Sequence, residues 1–346
     1  MNKYGKPLSD VINFKQTFIN NDAHNKKYAF KKNELYRKQP TREFCKICSN
    51  KLGDIDFYKN KIGYIFCNNC GHLNGERQDT NEFIDQLYSL DGGSNYAQKY
   101  SSVDRIEYKD RVNKIYTPKA KFLIESICEK SSFSKSEFKF CDIGAGSGYF
   151  VSALNNSGVD IVNLSGLEVS EVQASYANMM LGQNIIKKIG IRNMLTEIKN
   201  IDANIVSLIG VLEHLQNPFE VIEEIKSNKN IEYLFISVPL FSPTVLFEMI
   251  FTGVTDRHLT GSHTHLFTEQ SLSWLENTFN LDVVSSWRFG MDIFDLYRSM
   301  IITFKDENSA NLPKIFSDYF VDIMDDLQLV LDKKHRSSEV HILYKL

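Results

Sequence analysis

Four of the six cysteines fall into two pairs, Cys45-x-x-Cys48 and Cys67-x-x-Cys70, with eighteen residues between the pairs. Each tight turn presents two thiolates and a short hairpin brings the pairs together, so the spacing suits a tetrahedral zinc ion. Residues 54–66 read as two short strands around a Lys59-Asn60 turn, the frame of a zinc ribbon. Four thiolates leave no position for water, so the expected role of the metal is structural. His72 follows the second pair and is the substitute ligand within reach. Two disulfides are the competing use of this pattern. Residues 1–10, however, are polar and lack the apolar run of a secretory signal, which predicts a reducing, cytoplasmic setting. Cys128 and Cys141 read as apolar core residues.

A second constellation has a different chemistry. Residues 137–142 read as a buried strand that runs through Ile143-Gly144-Ala145-Gly146-Ser147-Gly148 into a helix. Such a turn lets the backbone approach a nucleotide while helix N–H groups point at it. Position 149 is Tyr, so the pattern is Asp-x-Gly-x-Gly-x-Gly and not the dinucleotide fingerprint. Twenty residues after Gly148, the strand at 161–167 ends in Glu168, placed to accept hydrogen bonds from both hydroxyls of a ribose. Ser170 and Gln173 read as a capping box for the next helix.

The third group of residues is histidine-dense: Asp256-Arg257-His258, then His263-Thr264-His265-Leu266-Phe267-Thr268. Imidazole titrates near neutrality and is the natural base for a hydroxyl. Arg288, Tyr297 and Arg298 are the candidates for meeting an anionic group.

These residues need elements to hold them. Residues 203–210 are the apolar run of a central parallel strand, followed by Val211-Leu212-Glu213-His214-Leu215. Asn217 as N-cap, Pro218 at N1 and Glu220 at N3 then start a helix that buries Phe219, Ile222 and Ile225. Residues 231–238 are the next strand, and the alternation of strand and helix predicts a doubly wound parallel sheet. A helix starting at Thr268 buries Leu272, Leu275 and Phe279, and residues 281–289 and 340–345 form a strand hairpin. Between its arms, 291–334 is helical, with Phe316, Phe320, Ile323, Leu327 and Leu331 at helical spacing.

Cys141-Asp-Ile-Gly-Ala-Gly-Ser-Gly148, Gly166-Leu-Glu-Val-Ser170 and Val211-Leu-Glu-His-Leu215 together resemble the class I S-adenosylmethionine-dependent methyltransferases over residues 115–290. The resemblance implies a Rossmann-like, seven-stranded α/β sheet with the cofactor over the carboxyl ends of its first strands. Asp142, Gly144, Ala145 and Gly146 would line the methionine and ribose part, Glu168 the ribose diol, and Val169 and Leu212 the rest of the cofactor site. The acid that often touches the adenine is replaced by Ile189-Gly-Ile-Arg192, so that contact stays unassigned. A stretch like His265-Leu-Phe-Thr268 closes the active site in such enzymes. The catalytic base is therefore assigned first to His265 and second to His263, while Glu213 and His214 receive no catalytic role.

A zinc ribbon ahead of this domain resembles bacterial nucleotide-sugar methyltransferases. The expected division is a basic arm at 1–40, a zinc ribbon at 41–78, a helical linker at 79–130, and a methyltransferase domain at 131–346 with a helical insertion at 291–337. The expected reaction is methyl transfer from S-adenosylmethionine to a hydroxyl or amine of a nucleotide-linked or phosphorylated sugar, a small precursor of a surface glycan. Three other readings compete. Sugar C-methyltransferases carry a long C-terminal domain, whereas only about a hundred residues follow Val238 here. An RNA methyltransferase acting on base amino groups would need an Asn/Asp-Pro-Pro-Tyr-type motif, and Val238-Pro-Leu is a poor substitute. A non-catalytic cofactor-binding module that keeps the fold as a scaffold is the third, and the intact glycines and Glu168 argue for retained cofactor binding.

Composition is consistent with this picture. With 346 residues, 42% hydrophobic and 24% charged, the chain is globular, not disordered or fibrous. Forty basic against forty-three acidic residues argue against a nucleic-acid partner. The balance is uneven, since residues 1–43 hold ten basic and four acidic side chains. That segment reads as a solvated arm, or as one that meets an anionic partner. Residues 233–254 are long and apolar enough to suggest a membrane span, but Pro239, Pro243 and Glu248 favour a buried strand, a turn and a helix.

Overall fold

The computed structural model describes residues 1–8, 19–89, 105–130, 133–259, 263–306 and 311–346. Asp10 and Lys15 of the basic segment, the linker at 90–104 and Thr260-Gly261-Ser262 of the histidine-dense loop lie outside the described residues.

Twelve strands are described: β1 Asn2–Tyr4, β2 Phe57–Lys59, β3 Ile62–Phe66, β4 Leu73–Gly75, β5 Phe140–Ile143, β6 Leu164–Glu168, β7 Ile186–Lys188, β8 Ile205–Ile209, β9 Tyr233–Pro239, β10 His265–Leu266, β11 Asp282–Phe289 and β12 Glu339–Lys345. The main sheet runs β1-β11-β12-β9-β8-β5-β6-β7. β12 is antiparallel to both neighbours and the remaining pairs are parallel. The seven expected strands are present, and β1 adds an eighth at the β11 edge.

Neighbouring residues on one strand serve opposite faces, as the pleat requires. Cys141, Leu234 and Ile236 join a core built with Val221, Ile222, Ile225, Leu272, Leu275 and Phe279. Phe140 and Phe235 join the other core, with Phe122, Leu123, Phe150 and Trp287. Helices therefore cover both faces, and the central strands read as continuous apolar runs. The helix Glu269–Phe279 begins where its sequence predicts. Thr268 Oγ1 accepts from Ser271 N at 3.0 Å and Ser271 Oγ accepts from Thr268 N at 2.9 Å. At the helix Pro218–Ser227, Asn217 makes no side-chain cap; its amide instead donates to the Glu220 carboxylate at 3.2 Å.

Several expectations are corrected. The basic segment is not a free arm where it is described. β1 pairs with β11, and the helix Asp22–Arg37 is tied down by Thr255 N donating to the Asp22 carboxylate at 3.0 Å. The sheet of the cysteine hairpin also takes in a strand from outside residues 41–78. β10 pairs antiparallel with β4, giving a four-stranded sheet β10-β4-β3-β2 that welds the cysteine hairpin to the histidine-dense loop. Cys128 is exposed, whereas Cys141 is buried as expected. The insertion holds the helices Asp292–Asp306, Leu312–Phe320 and Met324–Lys333, broken at Val321–Ile323, which leaves Ile323 and Leu327 facing solvent. Among the described residues no helix is long and apolar enough to cross a membrane.

Candidate active site

A cavity of about 550 Å³ lies over the carboxyl ends of β5, β6, β8 and β9, where the order of the sheet reverses around β5. Its first wall is the glycine turn. Gly144 has φ +77°, and a Cβ there would sit 2.6 Å from Val211 Cγ2, so both backbone angle and space demand glycine. The N–H groups of Gly144 and Ala145 donate to Leu167 O at 2.8 and 3.0 Å, which fixes the turn against β6. The Glu168 carboxylate accepts the Gly146 N–H and the Ser170 N–H, each at 2.7 Å. Burial pushes its pKa up and these hydrogen bonds pull against that. Val169, Ile189, Ile191 and Arg192 continue the wall. Leu212 does not line it: the turn Leu212–His214 sends that side chain into the core.

Asp142 lies at the floor, fully buried, with Ser207 Oγ donating to it. Burial pushes its carboxyl from an ordinary 3.8 to about 7. The folded chain then holds this proton more tightly than the unfolded chain, so the contribution to stability is greatest below about pH 4. It falls as pH rises towards 7, by up to about 4 kcal/mol. In the absence of cofactor, Asp142→Asn is expected to gain stability relative to wild type between about pH 5 and pH 8. Urea unfolding across that range checks this, and parallel pH profiles for the two proteins would refute it.

The opposite end of the cavity is assembled from distant segments. The turn after β8 brings in Glu213 and His214, the loop after the helix Pro243–Ile250 brings His258 and His263, and β12 begins with Glu339. That loop is held from beneath by the buried Glu248, which accepts the N–H groups of Arg257, His258 and Leu259 at 2.6, 2.8 and 3.0 Å. His263 Nδ1 donates to His258 O at 3.1 Å. Burial pushes Glu213 up to about 8 and lowers both His258 and His263 well below the usual imidazole range. Arg257 Nε donates to the Asp295 carboxylate at 2.8 Å, and Lys119 pairs with Glu339 at 3.4 Å.

Arg111 and Tyr116 enter from the side, the Arg111 guanidinium lying 5.2 Å from the Tyr149 ring centroid. Nothing in their local sequence marked Arg111, Tyr116, Lys119 or Glu339. The one structural signal is the π-helical turn Val112–Tyr116, a distortion frequent at functional sites.

The two histidines nominated from sequence part company. His263 lines the cavity, but His265 does not. His265 sits in β10 at 1% exposure, its Nδ1 sharing a hydrogen bond with His72 Nε2 at 2.8 Å, in the junction between loop and ribbon. Of the three anion-binding candidates none reaches the cavity. Arg288 forks onto Glu269 at 2.8 and 2.7 Å, Arg298 is buried beside Asp22 and Asp295, and the Tyr297 hydroxyl bonds Ser317 at 2.8 Å.

The four cysteine sulfurs all lie within 4.8 Å of one another, with Cys45–Cys70 at 3.5 Å and Cys48–Cys67 at 3.4 Å. Zn–S bonds of about 2.3 Å give a tetrahedral edge of about 3.8 Å, so the set fits a zinc ion. Asn74 Nδ2 and the Ile47 N–H both donate to Cys45 Sγ at 3.5 Å, as thiolate ligands require.

A sequence profile described as "Methyltransferase domain" matches residues 107–286, more than half of the chain. No curated protein sequence matches it. Solved structures similar in fold include a SAM-dependent methyltransferase from Archaeoglobus fulgidus, at 14% identity and TM-score 0.41, covering 77% of this chain and 100% of that one. Another is magnesium protoporphyrin IX methyltransferase from Synechocystis PCC 6803 with bound SAH, at 12% identity and TM-score 0.42, covering 59% and 90%. The glycine turn, the acid closing β6 and the strand order thus meet a profile spanning the same residues, and the chain belongs to the methyltransferase-domain family as a class I S-adenosylmethionine-dependent methyltransferase.

Proposed function

We propose that the chain methylates a hydroxyl of a nucleotide-linked or phosphorylated sugar. The observation that carries this reading is the meeting, in one cavity, of the glycine turn with Glu213, His214 and His263. In the proposed arrangement Asp142, Gly144, Ala145, Gly146, Glu168 and Val169 hold the cofactor. Methyl transfer is an in-line displacement, so the protein's task is alignment and removal of the hydroxyl proton. The acid and the two imidazoles supply the polar end at which the hydroxyl docks and loses its proton. Arg111 supplies a guanidinium for an anionic group inside the cavity. A structural zinc ion on Cys45, Cys48, Cys67 and Cys70 would complete the ribbon, and the proposed domains are the ribbon at 41–78 and the catalytic domain at 131–346.

The test is a panel of nucleotide sugars, phosphorylated sugars and structured RNA, offered with methyl-labelled cofactor. Label is expected on a sugar oxygen; transfer to RNA alone would overturn the acceptor assignment. His263→Ala is expected to lower turnover by about 10²-fold or more and leave cofactor affinity within about twofold, because it lines only the acceptor end. His265→Ala should not behave as the loss of a base, since His265 faces His72 and not the cavity.

A further inference from the structure

The acceptor end of the cavity contains more than a base would need. Glu213, His214 and His263 each offer one ligand atom, and all three atoms lie within 4.8 Å of one another. Glu213 is only 4% exposed, yet its Oε2 has no hydrogen-bond partner, an expensive arrangement for a buried carboxylate oxygen. His258 lines the same space at 1% exposure, and both of its ring nitrogens lack partners. The tautomer of His263 is set by its neighbour. A carbonyl only accepts, so His263 Nδ1 carries the proton it gives to His258 O, and the Nε2 lone pair is left to face a ligand. Ligating histidines are characteristically oriented by such a bond from the other nitrogen. The nearby Arg257 cation is neutralised by Asp295 at 2.8 Å.

We propose that Glu213, His214 and His263 bind a divalent transition-metal ion of the Mn²⁺, Co²⁺ or Zn²⁺ class, whose remaining positions take two adjacent oxygens of a vicinal diol on the acceptor. The inference rests on the reading that the other end of the cavity holds S-adenosylmethionine. Two imidazoles and one carboxylate favour these ions over Mg²⁺ or Ca²⁺, which prefer all-oxygen sites. Three protein ligands leave open positions, as a catalytic metal site must. The ion acts as a Lewis acid on one hydroxyl and fixes its oxygen towards the sulfonium methyl. The O–H bond breaks and its proton leaves to water. An O–CH₃ bond forms as the C–S bond breaks, and that electron pair stays on sulfur as a neutral thioether.

The test uses the full chain with Co²⁺ as the probe metal, read by metal analysis and visible absorption after removal of excess ion. Wild type is expected to retain two equivalents, one showing thiolate-to-cobalt charge transfer and one without it. His263→Asn and Glu213→Gln should each lose the thiolate-free equivalent and keep the other, with unchanged circular dichroism. His24→Ala, an exposed site on the helix Asp22–Arg37, should keep both. Cofactor binding is measured on the same samples by calorimetry. A wild-type chain that binds cofactor but retains only thiolate-bound cobalt overturns the metal site. A chain that fails to bind cofactor overturns the methyltransferase site itself, whatever its metal content.

Discussion

Glu168→Ala is expected to weaken S-adenosylmethionine binding by about two orders of magnitude while the protein remains folded. This carboxylate is held ready by the N–H groups of Gly146 and Ser170, both at 2.7 Å. Its place at the end of β6, beside the glycine turn, is where a ribose diol would donate two hydrogen bonds. Hydrogen bonds to a charged acceptor contribute about 1.5–3 kcal/mol each, so losing the pair corresponds to about 10²-fold in affinity after partial rehydration. The fold should tolerate the change, because the freed Gly146 N–H lines a cavity that water can enter. Glu168→Gln sharpens the test. It keeps the volume and one acceptor oxygen but loses the charge and the second oxygen, so a loss of about tenfold is expected. Calorimetric titration of both variants decides the matter, and an unchanged affinity in the alanine variant would remove Glu168 from the site.

The same segment explains why the cofactor end was legible in the sequence. Asp142 lies at the end of β5, just before the glycine turn, and the demand for positive φ at Gly144, Gly146 and Gly148 can be met cheaply only by glycine. The alternation of strand and helix followed from apolar runs and helix starts, which are local signals; the lateral order of the strands did not. Leu212 was misplaced because a three-residue turn rotates consecutive side chains through large angles: Glu213 and His214 face the cavity while Leu212 enters the core.

The acceptor end was legible only in part, since its residues come from segments more than a hundred positions apart in sequence. Two histidines spaced by one residue look equivalent as letters. The pairing of β10 with β4 separates them by placing His265 against Asn74 and its ring against His72. Arg288 and Arg298 looked available for the same reason: Glu269 and Asp22, which occupy them, lie 19 and 276 positions away. β1 had no legible signal, because Asn2, Lys3 and Tyr4 join the sheet by backbone pairing and carry no apolar alternation.

Disabling the four-cysteine site is expected to abolish acceptor turnover while sparing cofactor affinity. The reasoning follows the contacts that run from the ribbon into the loop. Gly71 O accepts from Thr268 Oγ1 at 3.0 Å, Gly75 N donates to Thr264 O at 2.9 Å, and Lys59 pairs with Asp256 at 3.0 Å. Each anchor sits within a few residues of the cysteine pairs or on the hairpin they close. Structural zinc sites contribute on the order of 10 kcal/mol to the folding of small ribbons, comparable to the burial of Ile47, Ile62, Tyr64, Ile65 and Leu73 together, so its loss removes a large part of what frames the hairpin. Without the metal, β4 loses its frame, and β10 has no other strand partner among the described residues. The 263–268 side of the loop then loses its anchors and no longer holds His263 at the cavity, while Glu248 still holds Arg257 to Leu259. The glycine turn and Glu168 rest on β5 and β6, which pair with each other and with β8 and β7 of the main sheet and not with the ribbon. Cys45→Ser with Cys48→Ser should therefore keep the cofactor dissociation constant within about threefold and lower turnover at least 10²-fold. Amide hydrogen exchange supplies the readout independent of activity: protection should vanish in 71–75 and 263–268 and persist in 140–143 and 164–168. Retained protection at 263–268 in the metal-free variant would show that the catalytic domain holds its acceptor loop unaided, and the coupling argued from these contacts would fail.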